Sequence, residues 1–189
     1  MRELKTKWNS LIIIVIMIVT TVIVFSGCVS ESPVSKGNVK FSIDDVTITS
    51  ELEIESYFSN ETTIEKSNDT KFVIISLIVE NEENKWLAVQ TTIGIGGLID
   101  DEGNKYTAEL FVEINDSTYA VEQIASIDRE EAFGVSTDIS PNSTELKKLV
   151  FTLPLEREPQ SLKLSYGFRA NKETLVEDWF ITELDIPSE

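Results

Sequence analysis

The residue types that support covalent or acid–base catalysis are scarce in this sequence. Histidine is absent and Cys28 is the only cysteine, so no imidazole is present to activate a serine or a thiol. The 33 acidic residues are spread along the chain without a pair that stands out, as is typical of a solvated surface. We therefore predict that the protein is not an enzyme. A metal-dependent hydrolase that uses clustered carboxylates is the alternative.

Short patterns that point to ligands lack the context that a ligand site needs. Gly94-Ile95-Gly96-Gly97 has neither the Gly-x-Gly-x-x-Gly spacing nor the following helix of a dinucleotide-binding loop, so a strand bulge is favoured and no cofactor is predicted. Asp44-Asp45 and the cluster Asp100-Asp101-Glu102 with Asn104 offer the oxygen ligands that calcium prefers. The second cluster does not follow the twelve-residue loop of an EF-hand, and a hairpin turn accounts for it. We predict no metal site and keep calcium binding by these loops as an alternative.

The position of Cys28 predicts covalent attachment of lipid. Three basic residues near the N-terminus precede an uncharged, mostly apolar stretch over residues 11–25, which is the layout of a secretory signal. Phe25-Ser26-Gly27-Cys28 resembles the lipobox of prokaryotic lipoproteins, although Phe25 stands where leucine is usual. The resemblance implies that residues 1–27 are a signal peptide and that Cys28 carries the lipid. The remainder is then anchored to the outer face of the cell membrane, and a retained signal anchor is the alternative.

Composition beyond the signal segment argues against nucleic acid as a partner and indicates how the chain is divided. Removing residues 1–27, which hold three basic residues and one acidic residue, leaves 162 residues and changes the net charge from −17 to −19. Nucleic acid is not expected as a partner, because its phosphates need clusters of Lys and Arg. Residues 28–38 are small and polar, and we predict a flexible tether there. We predict that the tether is followed by one domain over residues 39–184 and by a tail over residues 185–189.

From residue 39 onward, short runs of β-branched and aromatic residues alternate with clusters of turn-forming residues, which predicts an all-β sandwich. The run over residues 71–80 is continuously apolar and predicts a central strand that is covered on part of both faces. The alternation slips at Asp44-Asp45, which predicts a β-bulge, and the glycines at 94, 96 and 97 predict a bulge or bend. Single strands are predicted at 52–58, 106–112 and 132–139, and a short helix or an irregular crossover at 115–131.

Three motifs occur in a recognisable order. A long apolar strand ends in Asn81 and an acidic turn, and a later strand reaches an Asp-x-x-Gly-x-x-Tyr turn over residues 100–106. Pro141-Asn142 then precedes a strand that ends Phe-x-x-Pro at residues 151–154. This order resembles the telokin-like, immunoglobulin-fold extracellular domain of bacterial and archaeal surface lipoproteins, a family largely without assigned biochemical function. The resemblance implies an immunoglobulin-like antiparallel β-sandwich at the cell surface. Pro-Gly is usual where this sequence has Pro141-Asn142, but asparagine also tolerates positive φ.

The loops and strand edges of such a sandwich bind partners without special chemistry. We predict a non-catalytic domain that binds an envelope protein, peptide or glycan, with a structural accessory domain that has no ligand as the alternative. Four aromatic residues are candidates for a stacking face, although we expect Trp86 to be buried in the core: Trp86, Tyr106, Trp179 and Phe180. Four Asn-x-Ser/Thr sequons are possible N-glycosylation sites: Asn60, Asn68, Asn115 and Asn142.

Overall fold

The computed structural model describes residues 27–28, 34–36, 38–59, 61–91, 97–134, 136–170, 173–174 and 178–183. Regular structure within these residues is β-strand apart from one 3₁₀ turn at Val121–Gln123. The strands are β1 (Gly27–Cys28), β2 (Val34–Lys36), β3 (Val39–Thr49), β4 (Glu51–Glu55), β5 (Thr62–Lys66), β6 (Thr70–Asn81), β7 (Leu87–Gln90), β8 (Gly97–Asp100), β9 (Lys105–Tyr106), β10 (Phe111–Ile114), β11 (Ser117–Ala120), β12 (Ala132–Phe133), β13 (Ser136–Ile139), β14 (Ser143–Pro154), β15 (Pro159–Ala170), β16 (Glu173–Thr174) and β17 (Asp178–Glu183).

Most of these strands belong to two sheets that share one core. The first sheet has the order β1-β3-β6-β14-β12, and β2 also pairs with β3. The second sheet has the order β13-β7-β15-β8-β9, and β16 and β17 also pair with β15. Neighbouring strands run antiparallel, except that the short β12 runs parallel to β14. The prediction of an all-β sandwich is confirmed.

Alternate residues of the long strands fill the space between the two sheets. On β6 these are Val73, Ile75, Leu77 and Val79, which are completely buried in this main core. Residues of both sheets that surround them include Leu149, Phe151, Leu87, Val89, Leu98, Leu162 and Leu164. Burial of a side chain of this size stabilises the fold by roughly 1.5–3 kcal/mol. Apolar burial is therefore the main stabilising contribution within the sandwich.

A second core lies on the opposite face of the first sheet. Phe72 and Ile74 alternate with the main-core residues of β6, and they pack with Val150 of β14. Hairpin β4–β5, hairpin β10–β11 and the segment after them cover this face, and we call residues 51–59, 61–66 and 110–127 the outer layer. Strand β6 is thus buried on both faces over its first half, which confirms the covered, central position predicted for it.

Strands β7 and β8 lie end to end along the same edge of β15. Gln90 pairs with Ser165 and Gly97 pairs with Lys163, so the pairings of β7 and β8 are separated by a single residue of β15. Gly97 has a φ of +133°, and a Cβ there would collide with the carbonyl oxygen of Tyr106 on β9. Glycine is therefore required at position 97, where the sequence predicts a bulge or bend. Gly94 and Gly96 lie outside the described residues.

The N-terminal edge of the first sheet differs from the predicted tether. Strand β2 and, at Cys28, strand β1 pair with β3, so parts of residues 28–38 are strand. The unpaired backbone groups of a sheet edge favour such pairing, and polar composition does not reveal it. On its other edge, β3 shifts register against β6 between Ile43 and Asp45, which confirms the predicted bulge. Residues 1–26, 29–33, 37 and 184–189 lie outside the described residues.

Four predicted elements differ from the structure. Strand β4 ends at Glu55, and β5 follows it although the sequence did not predict it. Residues 106–112 are not one strand, because the chain leaves β9 in the second sheet and enters β10 in the outer layer. Residues 132–139 divide into β12 and β13, which belong to different sheets. Residues 115–131, predicted as a short helix or an irregular crossover, contain the unpredicted strand β11 and then the short 3₁₀ turn. At the last three of these places the chain passes between layers, which local alternation does not indicate, whereas β4 and β5 both belong to the outer layer.

Candidate functional site

The buried carboxylate of Asp100 closes the turn that follows β8. Its Oδ1 accepts hydrogen bonds from the backbone N–H groups of Glu102 (3.0 Å) and Asn104 (2.7 Å). Its Oδ2 accepts hydrogen bonds from the Asn104 side-chain amide (2.8 Å) and from the Tyr106 hydroxyl (2.9 Å). Gly103 takes a φ of +82° in the same turn. The Asp-x-x-Gly-x-x-Tyr motif is therefore a hydrogen-bonded turn in which each residue of the motif has a structural role.

The ionisation of this turn follows from its hydrogen bonds. Burial alone raises the pKa of Asp100, but the hydrogen bonds from Asn104, Tyr106 and Glu102 outweigh burial and lower the pKa to about 2. Burial and the hydrogen bond to Asp100 raise the pKa of Tyr106 to about 12. A carboxyl group that is ionised at neutral pH cannot serve as a general acid there, and four donors already engage its oxygens. The Asp100 cluster thus organises its own turn.

A buried asparagine joins two turns at the opposite end of the sandwich. Asn81 is 1% exposed. Its Nδ2 donates hydrogen bonds to the carbonyl oxygens of Lys85 (2.9 Å) and Ser140 (2.8 Å). Its Oδ1 accepts a hydrogen bond from the N–H of Glu83 (3.1 Å). The Asn81 side chain therefore links the turn between β6 and β7 to the turn between β13 and β14, together with a hydrogen bond from the N–H of Asn142 to the carbonyl of Glu83 (3.0 Å).

A shallow depression of about 220 Å³ lies beside Asn81. Its lining consists of polar residues from the end of β6, the start of β14 and the turns beside them: Glu80, Asn81, Glu82, Asn142, Ser143 and Thr144. Lys40 forms ion pairs with Glu80 (3.0 Å) and Glu82 (2.6 Å), and hydrogen bonds to these two carboxylates raise the pKa of Lys40. Ligand pockets are mostly apolar and measure about 300–1,000 Å³. The size and polarity of the depression are those of a surface groove between turns.

The structure describes four of the five residues that are predicted to be modified. These four lie in different parts of the fold. Cys28 pairs through its backbone with Asp45 on the edge of β3. Asn68, Asn115 and Asn142 are exposed turn residues, as the sequence predicts for their segments. Asn60 lies outside the described residues.

Two of these asparagines take positive φ. Asn115 and Asp116, with φ of +49° and +65°, form the two-residue turn between β10 and β11, and the Asn115 amide donates a hydrogen bond to the Lys66 carbonyl (2.9 Å). Asn142 has a φ of +51° directly after Pro141. Asparagine thus adopts the conformation that glycine usually supplies in a Pro-Gly turn.

The remaining acidic pair also has a structural partner. Asp45 lies in the bulge of β3, and its Oδ2 accepts a hydrogen bond from the Thr47 hydroxyl (2.9 Å). In the part of the chain that the structure describes, no three acidic or cysteine side chains are grouped closely enough to hold a metal ion. Within the same residues, no helix has the length and apolar character needed to cross a membrane.

The aromatic residues do not form one surface in the described structure. Trp86 is 50% exposed, so the expectation that it is buried is wrong. The reason is that β7 begins only at Leu87, which leaves Trp86 in the preceding turn. Tyr106 is partly buried against the main core. The side chains of Trp179 and Phe180 lie outside the described residues.

Sequence reasoning missed the exposed apolar residues of the outer layer. Phe58 is 99% exposed, Ile64 is 68% exposed, and Tyr57 and Phe111 are each 59% exposed. Ile64 lies opposite Glu53 in the β4–β5 pair, on the face that points away from the second core. The sequence contained one signal for this exposure. Tyr57 and Phe58 lie directly before Ser59, a turn-forming residue, and adjacent aromatic residues at a turn do not follow the alternation of a core strand.

Comparison with known proteins gives resemblance in architecture alone. No family model and no curated protein matches the sequence. An uncharacterized β-sandwich protein from Clostridium difficile 630 is 10% identical, with a TM-score of 0.40 over 84% of this chain and 93% of that chain. A conserved hypothetical protein from Bacillus anthracis is 10% identical, with a TM-score of 0.43 over 78% of this chain and 92% of that chain.

Proposed function

We propose that this chain is a non-catalytic cell-surface lipoprotein whose β-sandwich binds a protein, peptide or glycan partner at the outer face of the membrane. The observation that carries the proposal is the order of three features in the chain. An apolar signal-like segment ends in Phe25-Ser26-Gly27-Cys28, and the first long strand of the sandwich begins at Val39. Each lipid methylene that enters the membrane contributes about 0.8 kcal/mol, so two or more acyl chains hold a highly charged domain at the surface.

The polar clusters of the sandwich support a binding role more than a catalytic one. The carboxylate of Asp100 and the amide of Asn81 are the polar groups with the most hydrogen-bond partners in buried positions, and in both cases the partners belong to turns. The exposed apolar side chains of the outer layer favour a domain with a partner over an accessory domain without one. The order of motifs that resembles the telokin-like family supports the same location.

The test of the anchor is Cys28→Ala in a prokaryotic host that processes lipoproteins. We expect the wild type to incorporate an alkyne-labelled fatty acid, to lose residues 1–27 and to partition with membranes. Cys28→Ala should incorporate no label and accumulate at precursor size, while Ser30→Ala, two residues further on, should behave as the wild type. Unchanged processing and membrane partition of Cys28→Ala would refute lipidation. A wild type that keeps residues 1–27 and has no lipid mass would establish a signal anchor instead.

The test of binding uses the anchored protein on intact cells. We expect a short cross-linker to join the wild type to a defined envelope component, in a yield that excess purified chain reduces. Cross-linked species that excess chain does not reduce would show that the contacts are non-specific and would refute a binding role.

A further inference from the structure

Two hydrogen bonds determine which backbone groups of β5 face its partner strand. The N–H of Ser67 donates to the carbonyl of Ser50 (2.8 Å), and the N–H of Ser56 donates to the carbonyl of Glu61 (3.1 Å). Both pairs continue the register of β4 and β5, and they flank it at its two ends. Because hydrogen-bonded and non-bonded pairs alternate in an antiparallel ladder, every second residue of β5 directs its N–H and C=O toward β4.

The residues between them, Thr62, Ile64 and Lys66, direct their N–H and C=O groups away from β4. The carbonyl of Lys66 accepts the hydrogen bond from Asn115, which lies on that side. Thr62 and Ile64 have no backbone hydrogen-bond partner on this edge among the described residues. The outer edge of β4 differs, because the carbonyl of Glu53 accepts a hydrogen bond from the N–H of Ala125 (2.9 Å). Strand β5 therefore presents the open edge of this hairpin.

The open edge of β5 lacks most of the features that protect an edge strand. Natural edges are protected by proline, bulges or inward-pointing charges. Strand β5 contains no proline, and its register with β4 is continuous. Ile64 is 68% exposed at its centre. Its single lysine, Lys66, is at the end of the strand and forms an ion pair with Glu51 (2.9 Å).

The charge around the open edge of β5 indicates which kind of partner can bind there. Glu51, Glu53 and Glu55 form a row on the outward face of β4, and Glu65 lies on the other face of β5. Within the described residues, Lys66 is the only basic residue of this hairpin. The chain as a whole carries a net charge of −17. A second copy and an anionic membrane surface are therefore repelled, whereas a cationic segment is attracted.

We propose that the open edge of β5 is a docking site for an extended cationic polypeptide segment in which Lys or Arg alternates with apolar residues. The inference rests on the proposed binding function, and it names the site and the chemistry of the partner. The added strand would hydrogen-bond with the backbone of Thr62 and Ile64. Its apolar side chains would lie beside Ile64, and its cations would lie on the opposite face beside Glu65. The glutamate row of β4 is on the Ile64 face, so it would attract these cations only at longer range.

The direct test measures binding of a synthetic peptide, acetyl-Lys-Val-Lys-Val-Lys-Val-Lys-amide, to the full chain in non-ionic detergent. Two control peptides replace Lys with Glu or carry N-methyl groups at alternate residues, which removes backbone donors. We expect the Lys-Val peptide to bind at least about tenfold more tightly than either control, since a factor of ten corresponds to roughly one good hydrogen bond. Equal binding of the Lys-Val peptide and either control would overturn the proposal.

Two matched variants of Ile64 separate the contribution of its backbone N–H to peptide binding from the contribution of its side chain. Ile64→Pro removes an N–H that points away from β4, so the β4–β5 ladder is kept and peptide binding should fall by about tenfold. Ile64→Thr keeps that N–H and should weaken binding less. Wild-type affinity in a folded Ile64→Pro variant would overturn the proposal. If Ile64→Pro does not fold, the N-methylated peptide decides the question on the wild type.

Other occupants give distinct results. The Cys28→Ala chain carries no attached acyl chain. If it binds phosphatidylglycerol vesicles and a further Phe58→Ser substitution abolishes that binding, this surface contacts the membrane and the proposal is overturned. Self-association in sedimentation that Ile64→Pro abolishes would assign it to a second copy and overturn the proposal as well. If the envelope cross-link is retained in Ile64→Pro, this inference fails while the proposed function stands.

Discussion

Replacing Asn81 by alanine is expected to destabilise the protein strongly, because its buried side chain makes three hydrogen bonds within and between two turns. Asn81 forms three hydrogen bonds, with Lys85, Ser140 and Glu83. An internal hydrogen bond contributes a net stabilisation of about 1 kcal/mol, so their loss costs about 3 kcal/mol in the free energy of unfolding. For a domain of this size, 1 kcal/mol corresponds to about 2–4 °C in Tm, and Asn81→Ala should therefore lower Tm by about 6–12 °C.

Asn81→Asp keeps the shape of the side chain and changes only its hydrogen bonding. A carboxylate oxygen would then lie about where the amide nitrogen lies now, 2.8 Å and 2.9 Å from two carbonyl oxygens. Asn81→Asp should therefore be less stable than Asn81→Ala at pH 7. Burial raises the folded-state pKa of the new carboxyl group above its unfolded value, so part of the stability returns as the pH falls toward about 4, where the neutral acid again donates a hydrogen bond.

Urea-induced unfolding followed by tryptophan fluorescence measures these differences. Asn84→Ala is the matched control, because Asn84 is an exposed residue of the same turn and its replacement should change stability by less than about 0.5 kcal/mol. A loss below about 1 kcal/mol in Asn81→Ala would refute the reasoning that these hydrogen bonds hold the two turns. If Asn81→Asp is more stable than Asn81→Ala at pH 7, the amide nitrogen of Asn81 does not face the carbonyl oxygens of Lys85 and Ser140.

Four further predictions concern pH and backbone conformation. Ionised Asp100, with its pKa lowered to about 2, contributes stability that is complete above its ordinary pKa of 3.8 and is lost as the pH falls toward about 2, so Asp100→Asn should flatten the acid limb of a plot of Tm against pH. Neutral Tyr106, with its pKa raised from 10.0 to about 12, contributes stability that is lost as the pH rises through that range, and Tyr106→Phe should flatten the alkaline limb. Urea unfolding should show that Gly97→Ala is more destabilising than Gly103→Ala, since a Cβ at 103 meets nothing within 4 Å and costs only backbone strain of about 1–2 kcal/mol. Burial and a neighbouring carboxylate raise the pKa of Glu109, so Glu109→Gln should raise Tm at pH 7 and have little effect at pH 4, and an unchanged Tm at pH 7 would contradict this reasoning.

The elements that could be predicted are those whose signal is local. Strand β6 is apolar at every position from Phe72 to Val79 except Ser76, and that run directly reports burial on both faces. The bulge of β3 appears in the sequence as a slip in alternation at Asp44-Asp45. The turn that begins at Asp100 follows from its motif, although the motif does not tell that the Tyr106 hydroxyl reaches the carboxylate.

The features that could not be predicted depend on contacts between distant parts of the chain. Strand β5 contains one apolar residue, Ile64, and it points outward, so no alternation toward a core marks the strand. The role of Asn81 depends on a carbonyl at Ser140, which is 59 residues away. Trp86 belongs to an apolar run, and only the observed start of β7 shows that it remains in the turn.

The end-to-end arrangement of β7 and β8 on β15 has a consequence for the order of folding. Both halves of that split strand pair with residues 159–168, so the second sheet cannot close until nearly the whole chain is available. The first sheet likewise joins Val73 to Phe151, and closing such long loops before any contact is gained is slow. Hairpins such as β4–β5 can form early, but an isolated hairpin is marginally stable. The sandwich therefore cannot close until the last third of the chain is present, and before it closes the chain can still be threaded through a narrow channel.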